Sequence, residues 1–141
     1  MWTARHAKGF GFYFHADDDT SACVGNLRSF VSSLRANEHL YFGRAVEGLR
    51  HLRFNAGSSG YLLSAKTQLA LGRAFKHGDK KCRLAKGGRD PGDMHVSDCL
   101  RTAVGVRPAL NTSYTGRGGA RLERFMPVSY THLTLPTILL V

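Results

Sequence analysis

Four thiol and imidazole side chains in the second half of the sequence have types and spacing that suit a metal ion. They follow one another as His77, Cys82, His95 and Cys99, with four, twelve and three residues in between. Zn²⁺ takes four nitrogen or sulfur ligands in tetrahedral geometry, and small zinc fingers separate their two ligand pairs by a similar span. Those fingers open with two closely spaced cysteines, whereas here basic residues flank Cys82 and would repel a cation. We therefore interpret the spacing as coincidental and expect no metal site.

Three consecutive carboxylates, Asp17, Asp18 and Asp19, offer oxygens of the kind that Ca²⁺ and Mg²⁺ prefer. A calcium loop of the EF-hand type needs ligands at alternate positions and a bidentate glutamate late in the loop. The sequence that follows Asp19 has neither feature. We interpret the triplet as a solvent-exposed turn at the end of a strand.

An aromatic run from Lys8 to His15 has the residue types that stack on nucleic-acid bases. It is similar to the first ribonucleoprotein motif of RNA-recognition domains and to the aromatic strand of cold-shock domains, whose rings stack on unpaired bases. Phe10, Phe12 and Phe14 would form that face here. His15 replaces the last aromatic residue of the motif, and only seven residues precede Lys8. The run predicts a strand, with a role in the core as the alternative to RNA binding.

The charge of the chain favours anionic partners. Lys and Arg number 20 against 10 Asp and Glu, which gives a formal net charge of +10. Between Lys66 and Arg89 there are eight basic residues and a single acid, Asp79. Such a segment can bind phosphates, which makes nucleic acid a candidate partner, although a charge run is usually a solvated surface and the apolar residues between the charges fit core packing.

Sequence motifs of common enzymes are not found. The sequence contains neither of the glycine-rich phosphate loops, no nucleophile elbow and no H-E-x-x-H helix. No pair of carboxylates for acid–base chemistry can be recognised from spacing alone. We therefore expect no catalytic residue, no cofactor and no enzymatic activity.

The three cysteines and the hydropathy limit what can be said of the compartment. Cys23, Cys82 and Cys99 contain no C-x-x-C pair, and an odd number does not close a disulfide framework. A reducing compartment, or thiols that have no particular role, fits this pattern best. No apolar run approaches the roughly 18 residues of a membrane-spanning helix, and no signal peptide is recognised at the start. The sequence assigns no localisation.

Hydrophobic periodicity predicts three helices. The first covers residues 26–36, capped by Asn26, with an apolar stripe formed by Leu27, Phe30, Val31 and Leu34. A second helical pattern covers residues 38–53, although Gly43 and Gly48 weaken it. Ser64 suits the N-cap of a third helix, Ala65 to Lys76, which Gly78 would end.

The segments between and after these helices predict loops and strands. Asn55 to Gly60 is a loop by composition, and a short apolar run, Tyr61 to Leu63, follows it. Gly87 to Gly92 is a turn that contains Pro91. The β-branched residues between His95 and Val106 predict a strand.

The last fourteen residues, Val128 to Val141, resemble a translated oligonucleotide. Back-translated, they fit the transposase mosaic end and adapter of tagmentation sequencing libraries. Residues of such origin are set aside in an argument about fold. We therefore divide the chain into a single truncated α+β domain, residues 1–126, and an adapter-derived tail, residues 127–141.

Residues 61–111 carry a partial family resemblance in three short motifs. They are the Tyr61-Leu62-Leu63-Ser64-Ala65 start, the Arg89-Asp90-Pro91-Gly92 turn and the Gly105-Val106-Arg107-Pro108-Ala109-Leu110-Asn111 segment. Together they resemble a bacterial domain of unknown function that is common in gut Firmicutes and ends in a Gly-Val-Arg-Pro-Ala-Leu strand. The resemblance implies an α+β fold and a bacterial origin, but no activity, cofactor or substrate. It also implies a strand in which Pro108 ends the ladder at an edge.

These observations together predict a small α+β domain with two or three helices and a short, irregular antiparallel sheet. The predicted function is a non-enzymatic surface or interaction module of a bacterium. The alternative is a basic RNA- or DNA-binding module that uses the Lys8 to Phe14 strand and the basic segment 66–89. Its specific partner and its oligomeric state are not determined by the sequence.

Overall fold

The computed structural model describes residues 9–18, 20–48, 51–78, 82 and 92–109, together with the backbone of residues 138–140. Three helices and six short strands follow one another in this part of the chain. In chain order they are β1 (Phe12–His15), α1 (Val24–Val31), β2 (Tyr41–Gly43), β3 (Ala45–Glu47), β4 (Arg53–Asn55), a 3-10 turn (Gly57–Ser59), β5 (Tyr61–Ser64), α2 (Ala65–Lys76), α3 (Gly92–Cys99) with a π-helical continuation (Leu100–Val104), and β6 (Ile138–Leu140). The predicted α+β class, with three helices and a short antiparallel sheet, is confirmed.

The main sheet has four antiparallel strands in the order β2-β5-β1-β6. Strand β5 lies between β2 and β1, so that Leu63 is opposite both Tyr41 and Tyr13. The neighbouring Leu62 is opposite both Phe42 and Phe14. Strands β3 and β4 form a separate antiparallel hairpin.

Both faces of the sheet are covered by apolar side chains. On one face Phe14, Leu62 and their neighbours pack against Leu27 of α1. On the other face Leu63 packs in a cluster with Leu71 of α2 and Leu100 after α3. Because successive side chains of a strand point to opposite faces, a strand covered on both sides is apolar throughout. This explains the uninterrupted run from Tyr61 to Leu63 and the aromatic run of β1, which is the strand that the sequence predicted.

Helix α1 carries Leu27, Phe30 and Val31 of the predicted apolar stripe, but both predicted ends are wrong: it runs from Val24 to Val31, and Leu34 lies beyond it. Leu27 is buried, and Phe30 packs edge-on against Phe42 with ring centroids 5.3 Å apart. The helix begins at Val24, so the predicted cap at Asn26 is wrong. The N-cap residue is Cys23, and no side chain caps the first turn. Packing of the stripe, and not a capping hydrogen bond, therefore defines this helix.

Helix α2 has the predicted bounds and the predicted cap. The Ser64 hydroxyl accepts the backbone N–H of Thr67 at 3.3 Å and donates to the carbonyl of Glu38 at 2.6 Å. The helix ends before Gly78, whose φ of +62° is the left-handed conformation that glycine adopts most readily. Ser64 therefore connects the last position of β5 to the start of α2 and to the preceding loop.

The predicted helix over residues 38–53 is wrong, because this region forms β2, β3 and the start of β4. Tyr41 and Phe42 belong to opposite faces of the main sheet, which a single helix would not allow. A Cβ atom on Gly43 would lie 2.8 Å from the Cβ of Asn55, so the close approach of these strands requires glycine. Pairing with distant strands therefore outweighed the local helical spacing.

The predicted strand from His95 to Val106 is also wrong. Residues 92–99 form α3 and residues 100–104 continue as a π-helix. The Thr102 hydroxyl donates to the carbonyl of Asp98, four residues earlier, at 2.7 Å. This bond gives the hydroxyl group a partner within the helix, so the β-branched residue is accommodated there. Gly105, at a φ of +79°, ends the segment. Burial of Met94, Ser97 and Leu100 on one side outweighed the strand propensity of the valines and Thr102.

The strand implied by the family resemblance at residues 105–110 is not formed over 105–109, which lie in no helix or strand. Ala109 donates one backbone hydrogen bond to the carbonyl of Tyr41 at 2.9 Å, and Val106 is buried. Pro108 therefore ends no ladder. The predicted turn before Gly92 and most of the basic segment beyond Gly78 lie outside the described residues.

A disulfide joins Cys82 to Cys99, which are 17 residues apart in sequence with Cα atoms 4.7 Å from each other. The expectation that the cysteines close no disulfide is therefore wrong. Cys23 is the free and exposed thiol, so an odd count concealed one pair. The basis for expecting a reducing compartment is removed as well. No helix in the described residues is long and apolar enough to cross a membrane.

Candidate functional site

The four residues with zinc-like spacing do not form a metal site. Cys82 and Cys99 are bonded to each other, so neither offers a thiolate. One ring nitrogen of His95, Nε2, hydrogen-bonds the carbonyl of Cys82 at 2.9 Å, and His77 is exposed at the end of α2. Within the described ranges no three His, Cys, Asp or Glu side chains are grouped to hold a metal ion.

The aromatic side chains of β1 are not a platform for nucleic-acid bases. Phe12 and Phe14 are only 6% and 1% exposed, and both pack in the core against α1. Phe10 is exposed, but it precedes the strand. Stacking on bases requires accessible ring faces, so the strand contributes stability and not base recognition. Lys8 lies outside the described residues.

The polar side chains that do converge lie around Gly57, at the end of the sheet where β1 finishes. Asp93 accepts the backbone N–H of Gly57 through Oδ2 at 2.8 Å. Asp17 donates its backbone N–H to the carbonyl of Gly57 at 3.4 Å. Its carboxylate is so close that a Cβ on Gly57 would lie 2.9 Å from Oδ1 of Asp17. We call Asp17, Gly57, Tyr61 and Asp93 the Gly57 corner.

Local structure explains why each carboxylate is held there. Asp93 lies in the first turn of α3, where backbone N–H groups have no partner in the helix and the helix dipole favours negative charge. Its Oδ1 accepts the N–H of Met94 at 2.8 Å, so both oxygens are fixed by backbone donors. Asp17 is placed by β1, which ends two residues earlier. Gly57 leaves the space between them open because it has no side chain.

Tyr61 connects the two carboxylates electrostatically. The pKa of its phenol is raised, first by burial and then by the negative potential of Tyr41, Asp93 and Asp17. Both carboxylates therefore act on the same buried hydroxyl group. Tyr61 remains neutral, and it can donate a hydrogen bond at any physiological pH.

His15 supports the ring of Tyr61 from the neighbouring strand. The two rings stack with centroids 5.1 Å apart and planes 11° apart. Nε2 of His15 is hydrogen-bonded to the side-chain amide of Gln68 at 3.0 Å. Burial lowers the pKa of His15, against a smaller opposing effect of Gln68. A neutral imidazole therefore packs beside the Gly57 corner.

A second polar group joins β2 to β4 and contacts the corner through Tyr41, whose ring packs edge-on against Tyr61 with centroids 5.7 Å apart. The Tyr41 hydroxyl accepts the backbone N–H of Asn55 at 3.2 Å, and burial is the main reason that the pKa of Tyr41 is raised. Both side-chain amide atoms of Asn55 are buried without a hydrogen-bond partner among the described residues. An unsatisfied buried amide costs free energy, so this position is not optimised for stability.

The arrangement has the chemical groups that move a proton or stabilise positive charge. A carboxylate in a fixed orientation can act as a general base, and a pair of carboxylates can share that work with charge stabilisation. From the sequence alone, Asp17 is predicted only as part of a turn, and nothing distinguishes Asp93. Their proximity depends on the contact of the α3 start with the loop after β4, which no local spacing reveals.

Comparisons with known proteins give one partial match of interest. Over 90 residues the chain is 27% identical to the glycoprotein-N-acetylgalactosamine 3-beta-galactosyltransferase 1 of Xenopus laevis. The match covers 64% of this chain, and it spans 24% of the length of the relative. No protein-family model matches the chain.

Proposed function

We propose that this chain carries the carboxylate pair of a sugar-transferring enzyme. The observation that supports the proposal is that the carboxylates of Asp17 and Asp93 both lie against Gly57. The class of reaction is proposed by analogy with the similar Xenopus protein, whose name describes transfer of galactose to N-acetylgalactosamine on a glycoprotein. The chain spans about a quarter of that protein, so donor, acceptor and activity are all part of the proposal.

The chemistry of such a transfer requires groups of the kind found here. The acceptor hydroxyl forms a bond to the anomeric carbon of an activated galactosyl donor, while the bond from that carbon to its leaving group breaks. The hydroxyl proton passes to a base, and the leaving group departs with the bonding electron pair. Carboxylates serve both needs in enzymes that act on glycosidic bonds, where positive charge develops on the sugar ring.

The two carboxylates have different surroundings, which suggests different roles. Asp93 is held by two backbone N–H groups and suits a base of fixed orientation. Asp17 is exposed and is followed by the exposed Asp18. One or two carboxylates, completed by substrate phosphates, are a common way to hold Mg²⁺ or Mn²⁺. Asp17 and Asp18 are therefore the residues that would hold a cation beside the leaving group.

Donor binding tests the proposal directly. The complete chain is titrated with UDP-galactose in the presence and absence of Mn²⁺, and binding is followed by calorimetry. Transfer is then followed by mass spectrometry with a peptide that carries N-acetylgalactosamine. We expect saturable donor binding that Asp17→Asn weakens. The control is Asp98→Asn, which changes a carboxylate on α3 outside the Gly57 corner and should not alter donor binding. Absence of donor binding by the folded wild-type chain would rule out the proposal.

The second candidate function is the binding module predicted from the sequence, and the exposed side of α2 supports it. Lys66, Arg73 and Lys76 are exposed, Leu69 beside them is 48% exposed, and α2 contains no acidic residue. This cationic side suits an anionic partner, nucleic acid included. Filter binding of RNA and DNA at two salt concentrations distinguishes the candidates. A steep loss of affinity with salt favours a nucleic-acid module, and absence of binding at low salt rules it out.

A further inference from the structure

We infer that the outer edge of β1 is an acceptor site for a short, extended, apolar peptide strand. In the structure this edge is covered by Ile138–Leu140, which pairs antiparallel with β1. The register places Leu139 opposite Phe14, with Tyr13 and His15 paired on either side. The pairing itself shows what this edge binds: an extended backbone made of aliphatic residues.

The composition of β1 is that of an interior strand. Phe12, Tyr13 and Phe14 are all buried, and β1 contains no charged residue and no proline. Natural edge strands are protected from foreign strands by lysine, proline or a bulge. An unprotected edge of this kind is completed by whatever extended segment reaches it, through main-chain hydrogen bonds that do not depend on a selected sequence.

The origin of β6 strengthens the inference. Residues 138–140 belong to the segment whose back-translation resembles a library adapter, and on that interpretation they were never selected to fit β1. Their pairing then reflects a property of the edge. The occupant we propose is accordingly a separate apolar strand of about three residues, matching the three paired positions.

The test replaces the tethered strand by one added in solution. Leu139→Pro and Leu140→Pro are made in the complete chain, because alternate residues of an antiparallel strand direct their N–H toward the partner and a proline at one of them removes a ladder bond. Leu139→Ala is the matched control, since it keeps the backbone N–H. The probe is a fluorescent peptide with the sequence of residues 134–141, and its anisotropy is measured.

We expect one proline variant to bind the peptide at least about tenfold more tightly than wild type, because the tethered strand competes at a millimolar effective concentration. Leu139→Ala should resemble wild type, and a peptide that carries the same proline as the tighter-binding variant should not bind. Equal binding by all variants would overturn the inference, as would dimers in which β1 edges pair with each other.

A second measurement keeps the test decisive if the proline variants do not fold. Excess peptide is added to the isotope-labelled wild-type chain, and the amide signals of Tyr13, Phe14 and His15 are recorded by NMR. Saturable shifts confined to β1 and its neighbours support exchange of the tethered strand. Unchanged signals at millimolar peptide contradict it. Donor binding at the Gly57 corner is measured independently. A negative result for donor binding therefore does not affect the inference about the β1 edge, and the reverse also holds.

Discussion

The carboxylate of Asp93 accepts the backbone N–H of Gly57 at 2.8 Å and so fixes the start of α3 against the loop that follows β4. Asp17 approaches the same glycine from the end of β1. Three parts of the chain, far apart in sequence, therefore meet at one residue without a side chain. The proposed chemistry depends on these contacts of Asp93 and Asp17 with Gly57, so substitutions at the three residues test it.

Replacing Asp93 by asparagine should destabilise the fold modestly and abolish any sugar transfer. Asparagine retains one oxygen but directs an NH₂ group at one of two backbone donors, which costs about 1–2 kcal/mol in the free energy of unfolding. Urea denaturation measures this change, and mass spectrometry measures transfer. The control is Asp98→Asn, which removes an exposed ion pair with Arg101 and should cost less than about 1 kcal/mol. Equal effects of the two changes on transfer would contradict the role of Asp93 as base.

Replacing Gly57 by alanine should displace the Asp17 carboxylate. The new Cβ would lie 2.9 Å from Oδ1 and 3.1 Å from Oδ2 of Asp17, closer than such atoms normally come. We expect weaker UDP-galactose binding by calorimetry, with little loss of helix content. Gly25→Ala is the matched control, since no atom lies within 4 Å of its Cβ and it is within α1. That change should stabilise the chain by about 0.5–1 kcal/mol.

The disulfide should contribute strongly to stability. It closes a loop with a sequence separation of 17 and ties Cys99 to the core beside Leu100. The double change Cys82→Ser and Cys99→Ser is expected to lower the free energy of unfolding by about 3 kcal/mol, measured by urea denaturation. Cys23→Ala, which removes the exposed free thiol at the N-cap of α1 without supplying a capping oxygen, should change it little. If both variants unfold at the same urea concentration, the bond is not formed in solution.

The sequence predicted the features of the fold that depend on neighbouring residues. It missed the features that depend on contacts between segments distant in the chain. Helix α2 was predicted with its bounds and its cap, because Ser64 and the residues after it carry local information. The strands β2 and β3 were missed, since the pairing of β2 with β5 and of β3 with β4 is not encoded in local spacing. The carboxylate pair was missed for the same reason: Asp17 and Asp93 meet only through the loop at Gly57. Local patterns therefore predicted the class of fold, and the proposed site required the tertiary contacts.

Replacing Asn55 should show whether its buried side-chain amide lowers the free energy of unfolding. Both of its side-chain amide atoms are buried without a hydrogen bond among the described residues. Leucine has the same branched shape and no polar atom but larger end groups, so relief of the unsatisfied amide and tighter packing oppose each other, and Asn55→Leu should change the free energy of unfolding by no more than about 1 kcal/mol. Asn26→Leu, on α1, is the control for a general effect of added apolar area. A loss of more than about 2 kcal/mol would mean that the amide has partners in solution.

Stability should fall as the solution is acidified through the range in which His15 titrates. Burial lowers the pKa of His15 in the folded chain below the ordinary value of 6.5, so near and below that pH the unfolded chain binds the proton more readily. The contribution of His15 is therefore complete above pH 6.5 and is lost progressively below it, down to the folded pKa. Urea midpoints measured between pH 5 and 8 would show the slope, and His15→Phe, which keeps a ring against Tyr61, should flatten it. His39→Phe is the comparison, because His39 is exposed and its own lowered pKa, again mainly from desolvation, should matter less to folding. An unchanged slope in His15→Phe would show that the imidazole is already solvated beside the Gly57 corner.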